Sequence, residues 1–220
     1  MGSKPIKEIV PEAPSQGEFA QVASEQLVDG AVLESVSLSG DCIKLKIVQR
    51  LGIEGSRIAG GVLAGSKLPG VRMVDCCFDR ADLAGATWND ARIVRTRLEE
   101  SRLTGFDARM SELRDVMFHK CKMPESFLSE AQLTRVRFDE CQVPGLDLSN
   151  ANIHSVVING CDARSLNLLG ARIEFLDLRG SMIEGIAVDP MFISGIVIDP
   201  TQAEAIAHAL GVQVADIGYS

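Results

Sequence analysis

Apolar residues recur every fifth position along most of this chain. From Leu33, Leu38 and Ile43 through Phe118, Met123 and Leu128 to Ile193 and Ile198, all 34 positions in this phase are apolar. An overall apolar content of 46% would fill about 16 of them by chance. Neither a helix (3.6 residues per turn) nor a flat strand (two) produces that period. A second column lies two residues before each of these positions and is filled mostly by Ala, Gly, Ser, Cys, Thr or Val. A third lies two residues after, and Gly is its commonest occupant. Recurrent Gly marks a backbone that repeatedly needs positive φ, as in a tight turn. Each five-residue unit is therefore read as a small inward residue, a large inward residue and a corner. The segments "ADLAG", "SRLTG" and "LDLRG" show it plainly.

Those segments resemble the pentapeptide-repeat family, whose motif is roughly A(D/N)LXX. The resemblance covers residues 31–200. It implies an all-β fold, a right-handed quadrilateral parallel β-helix with four units, hence twenty residues, per coil. At about 4.8 Å between stacked strands, this segment makes about 8.5 coils, a rod roughly 40 Å long. Residues 1–17 are expected to be a flexible lead-in. Residues 18–30 are read as an N-terminal cap, either a short helix on Phe19, Val22, Ala23 and Leu27 or a degenerate first coil. Residues 201–220 are read as a C-terminal helix and tail that cap the rod. There Asp199 is placed to N-cap, Pro200 to open the helix and Gln202 to complete a capping box. Ala203, Ile206, Ala207 and Leu210 form its apolar stripe, and Gly211 ends it.

Residues twenty apart should stack. Phe78, Leu98, Phe118, Phe138, Ile158 and Leu178 then form one spine. Trp88 is followed one coil later by Ala108, beside which Phe106 fills a small-residue position, so volume is exchanged within one unit. Cys121, Cys141 and Cys161, also twenty apart, are read as a buried ladder of free thiols: three thiols in a line offer a metal no tetrahedron. One place breaks the pattern. Asp41 and Lys46 fall in inward positions, and a lone buried charge is costly, so a distortion that turns Lys46 outward and Ile47 inward is expected.

The chemistry of the chain is sparse. His119, His154 and His208 do not gather, and no Gly-rich phosphate loop, carboxylate pair or Cys/His cluster with ligand spacing is present. No catalytic residue, cofactor or metal is expected, and the protein is not expected to be an enzyme. Six cysteines in 220 residues without a signal-like N-terminus suit a reducing cytoplasm. No apolar run is long enough to span a membrane, and a net charge of −8 argues against direct nucleic-acid binding.

What remains is a protein-binding surface. Some pentapeptide-repeat proteins, those of the quinolone-resistance and topoisomerase-immunity types, bind DNA gyrase or topoisomerase IV by imitating duplex DNA. The resemblance therefore implies such a partner, with a generic interaction scaffold for another protein as the alternative. Candidate acidic contacts are Asp79, Glu99, Glu100, Asp139 and Glu140 on one face and Asp82, Asp90, Asp107, Glu130 and Asp147 around another. Residues 31–200 carry 23 acids and 20 bases, however, so most of the excess negative charge lies off the rod. The five-residue phase also runs without insertion, which leaves no place for the projecting loops of the quinolone-resistance type. Homodimerisation is expected through the C-terminal element, with Ile206, Leu210, Val212 and Val214 as its apolar contacts.

Overall fold

A computed structural model describes residues 19–22, 24–39 and 44–215. Five-residue units wind into a parallel β-solenoid of about nine turns, right-handed and four-sided. Each coil registers on the next at a spacing of twenty residues: Arg92 pairs with Glu112, Glu112 with Gln132 and Gln132 with Asn152. The large inward residues define four faces. Face one carries Ile53, Met73 and Ile93; face two Ile58, Phe78 and Leu98; face three Leu63, Leu83 and Leu103; face four Leu68, Trp88 and Ala108. In mid-rod the first two faces merge into eight-residue strands, Arg92–Glu99, Glu112–His119, Gln132–Asp139 and Asn152–Asn159. Faces three and four are joined by single bridges such as Asp82↔Arg102 and Asp107↔Phe127.

The corners explain the period. From Leu33 to Leu148 every described residue two past a large one adopts positive φ, whether Gly105 (φ 62°) or a side-chain-bearing residue such as Asp75 (φ 54°) or Glu100 (φ 48°), whereas Ser155, Phe175 and Gly195 depart from the rule. Corners after faces three and four close with a turn hydrogen bond: the Ala86 amide donates to Leu83 O at 3.0 Å and the Ala151 amide to Leu148 O at 3.2 Å. Between faces two and three that bond forms only at the last coil, where the Ser181 amide donates to Leu178 O at 3.2 Å; in earlier coils a side chain one coil later supplies the acceptor. The Ala81 amide donates to Ser101 Oγ (3.0 Å), the Cys141 amide to Cys161 Sγ (3.2 Å) and the Cys161 amide to Ser181 Oγ (3.0 Å). A buried amide needs a partner, so this column favours small residues that can also accept a hydrogen bond. That is the physical reason for the cysteine ladder, whose members are buried and free.

The interior is filled by the two inward columns. The expected spine is present: Phe78, Leu98, Phe118, Phe138, Ile158 and Leu178 are all buried, and the rings of Phe118 and Phe138 stack at 4.8 Å. Trp88 is core. Its ring meets Phe106 edge-on at 5.2 Å, and its Nε1 donates to Ser66 Oγ at 3.2 Å. Ala108 is fully buried and makes the room that Trp88 takes.

Two expectations need correction. Ile47 is not inward: it is 66% exposed and bridges in regular register to Lys67. The coil stays regular there, and Lys46 remains half-buried, its amide carbonyl accepting from Lys67 N at 2.7 Å. A four-carbon stem can lie along the corner while its ammonium reaches out, so no flip is needed. Asp41 lies outside the described residues, as do residues 1–18 of the lead-in. The first coil is degenerate rather than helical: Ala20–Gln21 pairs with Val36 and Ser37, and a single 3-10 turn, Ser24–Gln26, follows.

The C-terminal end closes as a double cap. Asp199 accepts from Thr201 N, and Gln202 Oε1 accepts from Asp199 N at 2.9 Å, the expected capping box. The same two side chains also satisfy the last coil. Gln202 is buried, and its Nε2 donates to the carbonyls of Leu178 and Ser181, both at 2.6 Å; Asp199 Oδ2 accepts from Gly180 N at 2.8 Å. The helix that follows, Ala203–Ala209, packs Ala205, Ile206 and Ala209 on the core, whereas Ala203 and Leu210 are exposed. Its 3-10 first turn rotates the inward stripe away from the one a uniform helix would give. Replacing Gln202 by Ala removes the donor to Ser181 O and leaves Leu178 O only its bond from Ser181 N, and is expected to cost about 1–3 kcal/mol in urea unfolding. Amide exchange should quicken mainly at 178–188; unchanged stability and protection would show that the box caps only the helix.

Candidate protein-binding faces

The outward columns carry the polar residues, and register decides what they meet. Oppositely charged side chains twenty residues apart stand one above the other. Arg95 grips Asp75 with Nε and Nη2, both at 2.6 Å; Arg102 grips Asp82 at 3.0 and 2.8 Å; Arg135 engages Asp115 on the same plan. A second geometry links residues two apart across one strand, as in Arg109–Asp107, Arg164–Asp162 and Arg179–Asp177. The Arg95 and Arg164 hydrogen bonds hold the carboxyls of Asp75 and Asp162 below the usual carboxylate range. Exposed pairs of this kind contribute little each. Their larger effect is to cancel surface charge.

The ten acids expected to form a binding surface divide accordingly. On face two and its corner, Asp79 meets Arg80 (2.9 Å) and Arg57 (3.9 Å), and Glu99 meets Arg97 (3.1 Å). Asp139 meets Arg137 (2.9 Å) and His119 (3.6 Å), and Glu140 meets Lys120 (3.8 Å). Of that group only Glu100 has no cation within ion-pair distance among the described residues. Of the second group, Asp82 on face three is bound to Arg102 and Asp107 on face four to Arg109. Asp147 accepts instead from the neutral Asn167 Nδ2 (2.9 Å) and from Ser149 N (3.0 Å). Asp90 and Glu130, both on positive-φ corners, have no ion pair among the described residues. Face four, not face two, keeps its negative charge.

Groups with intrinsic reactivity are withdrawn or scattered. Burial pushes the Cys76 thiol up to about 12, and within the ladder its hydrogen-bonded neighbour Cys121 pushes Cys141 up to about 12. His119 lies beside Asp139 on face two, whereas His154 Nδ1 sits 2.9 Å from Glu174 Oε2 on face one and His208 is on the terminal helix. Among the described residues no three His, Cys, Asp or Glu side chains are placed to hold a metal ion. One feature the sequence reading missed is Cys77, which belongs to an outward column yet is only 8% exposed. It floors a groove of about 440 Å³ between Arg57 and Arg97. The adjacent pair Cys76–Cys77, one pointing in and one out, was the available signal.

At the C-terminal end a groove of about 770 Å³ runs between the last coil (Ser181 to Ile186) and the terminal helix (Gln202, Ala205, His208, Ala209). Of the four residues expected to support dimerisation, Ile206 packs on the core, while Leu210, Val212 and Val214 are 38%, 54% and 49% exposed.

Residues 71–148 match the family model of the pentapeptide repeat region. Among solved structures, a trypsin-treated form of QnrB1, a plasmid-mediated fluoroquinolone resistance protein, is 16% identical, covering 90% of this chain and 100% of that one with a TM-score of 0.41. HetL, a pentapeptide repeat protein involved in heterocyst differentiation regulation from the cyanobacterium Nostoc, is 18% identical over 79% of this chain and 90% of its own, with a TM-score of 0.39. Rfr23 from the cyanobacterium Cyanothece is 15% identical over 76% and 91%, with a TM-score of 0.23. Among curated protein sequences none matches significantly.

Proposed function

Because the chain carries the pentapeptide repeat, wound into a β-helix, we propose that it works without catalysis, as a rod whose faces bind another protein. The observation that carries this reading is the division between a filled interior and neutralised flanks. Both inward columns are packed from Val48 to Val188, the ladder thiols are buried among them, and on face two Asp79, Glu99 and Asp139 are held by arginines. An active site needs convergent polar groups in a concavity; a rod of this kind offers flat, ordered surface instead. The buried free thiols suit a reducing cytoplasm, and among the described residues no helix is long and apolar enough to cross a membrane.

The finer reading is a topoisomerase partner, DNA gyrase or topoisomerase IV, engaged through mimicry of duplex DNA. A negative face on a straight rod supports it, and magnitude limits it. Duplex DNA carries one charge per about 1.7 Å, so about 14 Å of duplex, the rise of three coils, presents about eight. Over a comparable length face four presents five carboxylates, Asp90, Asp107, Glu125, Glu130 and Asp147, against one guanidinium, Arg109. The other faces are closer to neutral. Mimicry is therefore confined to face four, and the generic protein partner is the broader reading. Gyrase supercoiling with and without a fluoroquinolone tests the finer one: it requires inhibition or drug protection at micromolar protein. No effect and no binding would leave the broader reading alone.

The homodimer is proposed through the exposed stripe of the C-terminal element. Light scattering should then give twice the monomer mass, reduced to the monomer by the double change Leu210→Asp and Val214→Asp. A monomeric native protein at about 100 μM, far above a stable dimer's dissociation constant, would refute it.

A further inference from the structure

Large apolar side chains that stand exposed on this rod fall into three groups. Val28, Val32, Leu45 and Ile47 lie on the first coils, and a set from Met182 to Val214 lies at the other end. The third group is mid-rod: Met110 (50% exposed), Phe127 (38%) and Leu169 (50%). All three belong to the outward and corner columns of face four; Phe127 stands one residue before the buried Leu128, Leu169 one after Leu168, and Met110 two after Ala108. Among the described residues the other three faces hold no such residue between Ile47 and Met182. Outward columns elsewhere in mid-rod are filled by charged, polar or covered side chains, so this concentration is a property of one face.

Face four is also where the uncancelled acids lie. Asp107 and Asp147 occupy the same column as Phe127, one coil below and one above, and each bridges to it through the backbone. Asp90 and Glu130 stand on the adjoining corner with Met110 between them, and Glu125 on the opposite corner. Arg109 is the one cation within this frame. It is bound by Asp107 at 2.7 and 2.9 Å, and its guanidinium carbon lies 6.0 Å from the Phe127 ring centroid. Asp147 also lies near enough to act on Arg109, as does Glu130. The result is an apolar line framed by carboxylates, stretching over three coil steps from Met110 to Leu169.

An apolar anchor with a desolvated centre and a charged rim is the anatomy of a protein-binding hot spot. The sign of the rim selects the occupant. Carboxylates without cations attract Lys and Arg and repel acidic chains and nucleic acid. We propose that face four docks a segment of a partner protein in which Lys or Arg side chains surround one or two apolar residues. The apolar residues cover Phe127, flanked by Met110 and Leu169, and the cations meet Asp90, Glu125, Glu130 and Asp147. This rests on the protein-binding reading above and names the chemistry of the partner.

The test uses the full chain and two labelled peptides of about 14 residues, one of Lys and Leu with leucines at helical spacing and one of Lys alone. Fluorescence anisotropy at about 0.15 M salt reads the affinities, where exposed long-range attraction is largely screened. The Lys/Leu peptide should bind more tightly than the all-Lys peptide. Phe127→Ser should weaken it at least about tenfold, Phe127→Leu should restore most of the loss, and Asp147→Asn with Glu130→Gln should weaken both peptides. The face-two changes Glu99→Gln and Glu140→Gln should leave both affinities unchanged. Thermal melts check that each variant is folded, which the outward position of Phe127 favours. Unaltered binding by Phe127→Ser, equal loss from the face-two changes, or no binding of the Lys/Leu peptide would each overturn the proposal. The gyrase assay is independent: a negative result there with this pattern intact removes only the topoisomerase reading, and a positive result without the pattern removes only this site.

Discussion

A left-handed backbone step, repeated every fifth residue through most of the rod, turns the chain through a corner, and the rest of the molecule depends on where those corners fall. An L-residue at positive φ costs on the order of 1 kcal/mol, which is why Gly is the commonest occupant. Even so, Asp75, Arg80, Arg95 and Glu100 all adopt the conformation. Their amides are held by hydrogen bonds to the next coil, such as Asp75 N to Val94 O at 3.1 Å and Glu100 N to His119 O at 2.9 Å. The local penalty is offset by stacking, which no single coil can supply. The rod is cooperative for that reason, and its ends need separate treatment. Asp199 and Gln202 provide it at the C-terminal end by acting on the helix and the last coil together.

Regular corners fix which side chains face inward, and therefore what the surface can be. Small and large inward positions fill the interior of the rod, so reactive groups such as the thiols of Cys121, Cys141 and Cys161 become packing and hydrogen-bonding elements. Outward residues acquire neighbours from the twenty-residue register. Asp75 below Arg95 and Asp82 below Arg102 are charge ladders, and where the ladder lapses on face four, charge and apolar surface are both left over. The same register that makes the core monotonous makes the faces differ.

Much was legible in the sequence: the resemblance implies the four-sided coil, and with it the period places the phenylalanine spine, the exchange between Trp88 and Phe106 and the thiol ladder, while the capping residues give the Asp199–Gln202 box. What escaped depended on reach and local geometry. Lys46 was expected to force a flip that brought Ile47 inward, but a long stem let it stay half-buried in a regular coil. The terminal helix packs the partly buried Ala205, Ile206 and Ala209 on the core after a 3-10 first turn, which a uniform helical period does not anticipate. Among the candidate acids, column membership was readable but neutralisation was not: Asp79 is paired by Arg80 and Arg57 and Asp139 by Arg137, whereas Asp90 and Glu130 have no ion pair among the described residues. The exposed line of Met110, Phe127 and Leu169 was present in the outward columns, overlooked because acids were sought there and apolar residues were not.

The central claim is that the twenty-residue coil is the unit of structure. The most direct measurement is to remove one. Deleting residues 132–151 joins Ala131 to Asn152, so that every inward column, corner and face continues in phase. The account predicts a shorter rod with a native-like far-UV circular dichroism spectrum and a single cooperative melt. Deleting 133–151, one residue fewer, shifts every later side chain out of its column and should abolish that melt. Two deletions that melt alike, both folded or both unfolded, would contradict the account.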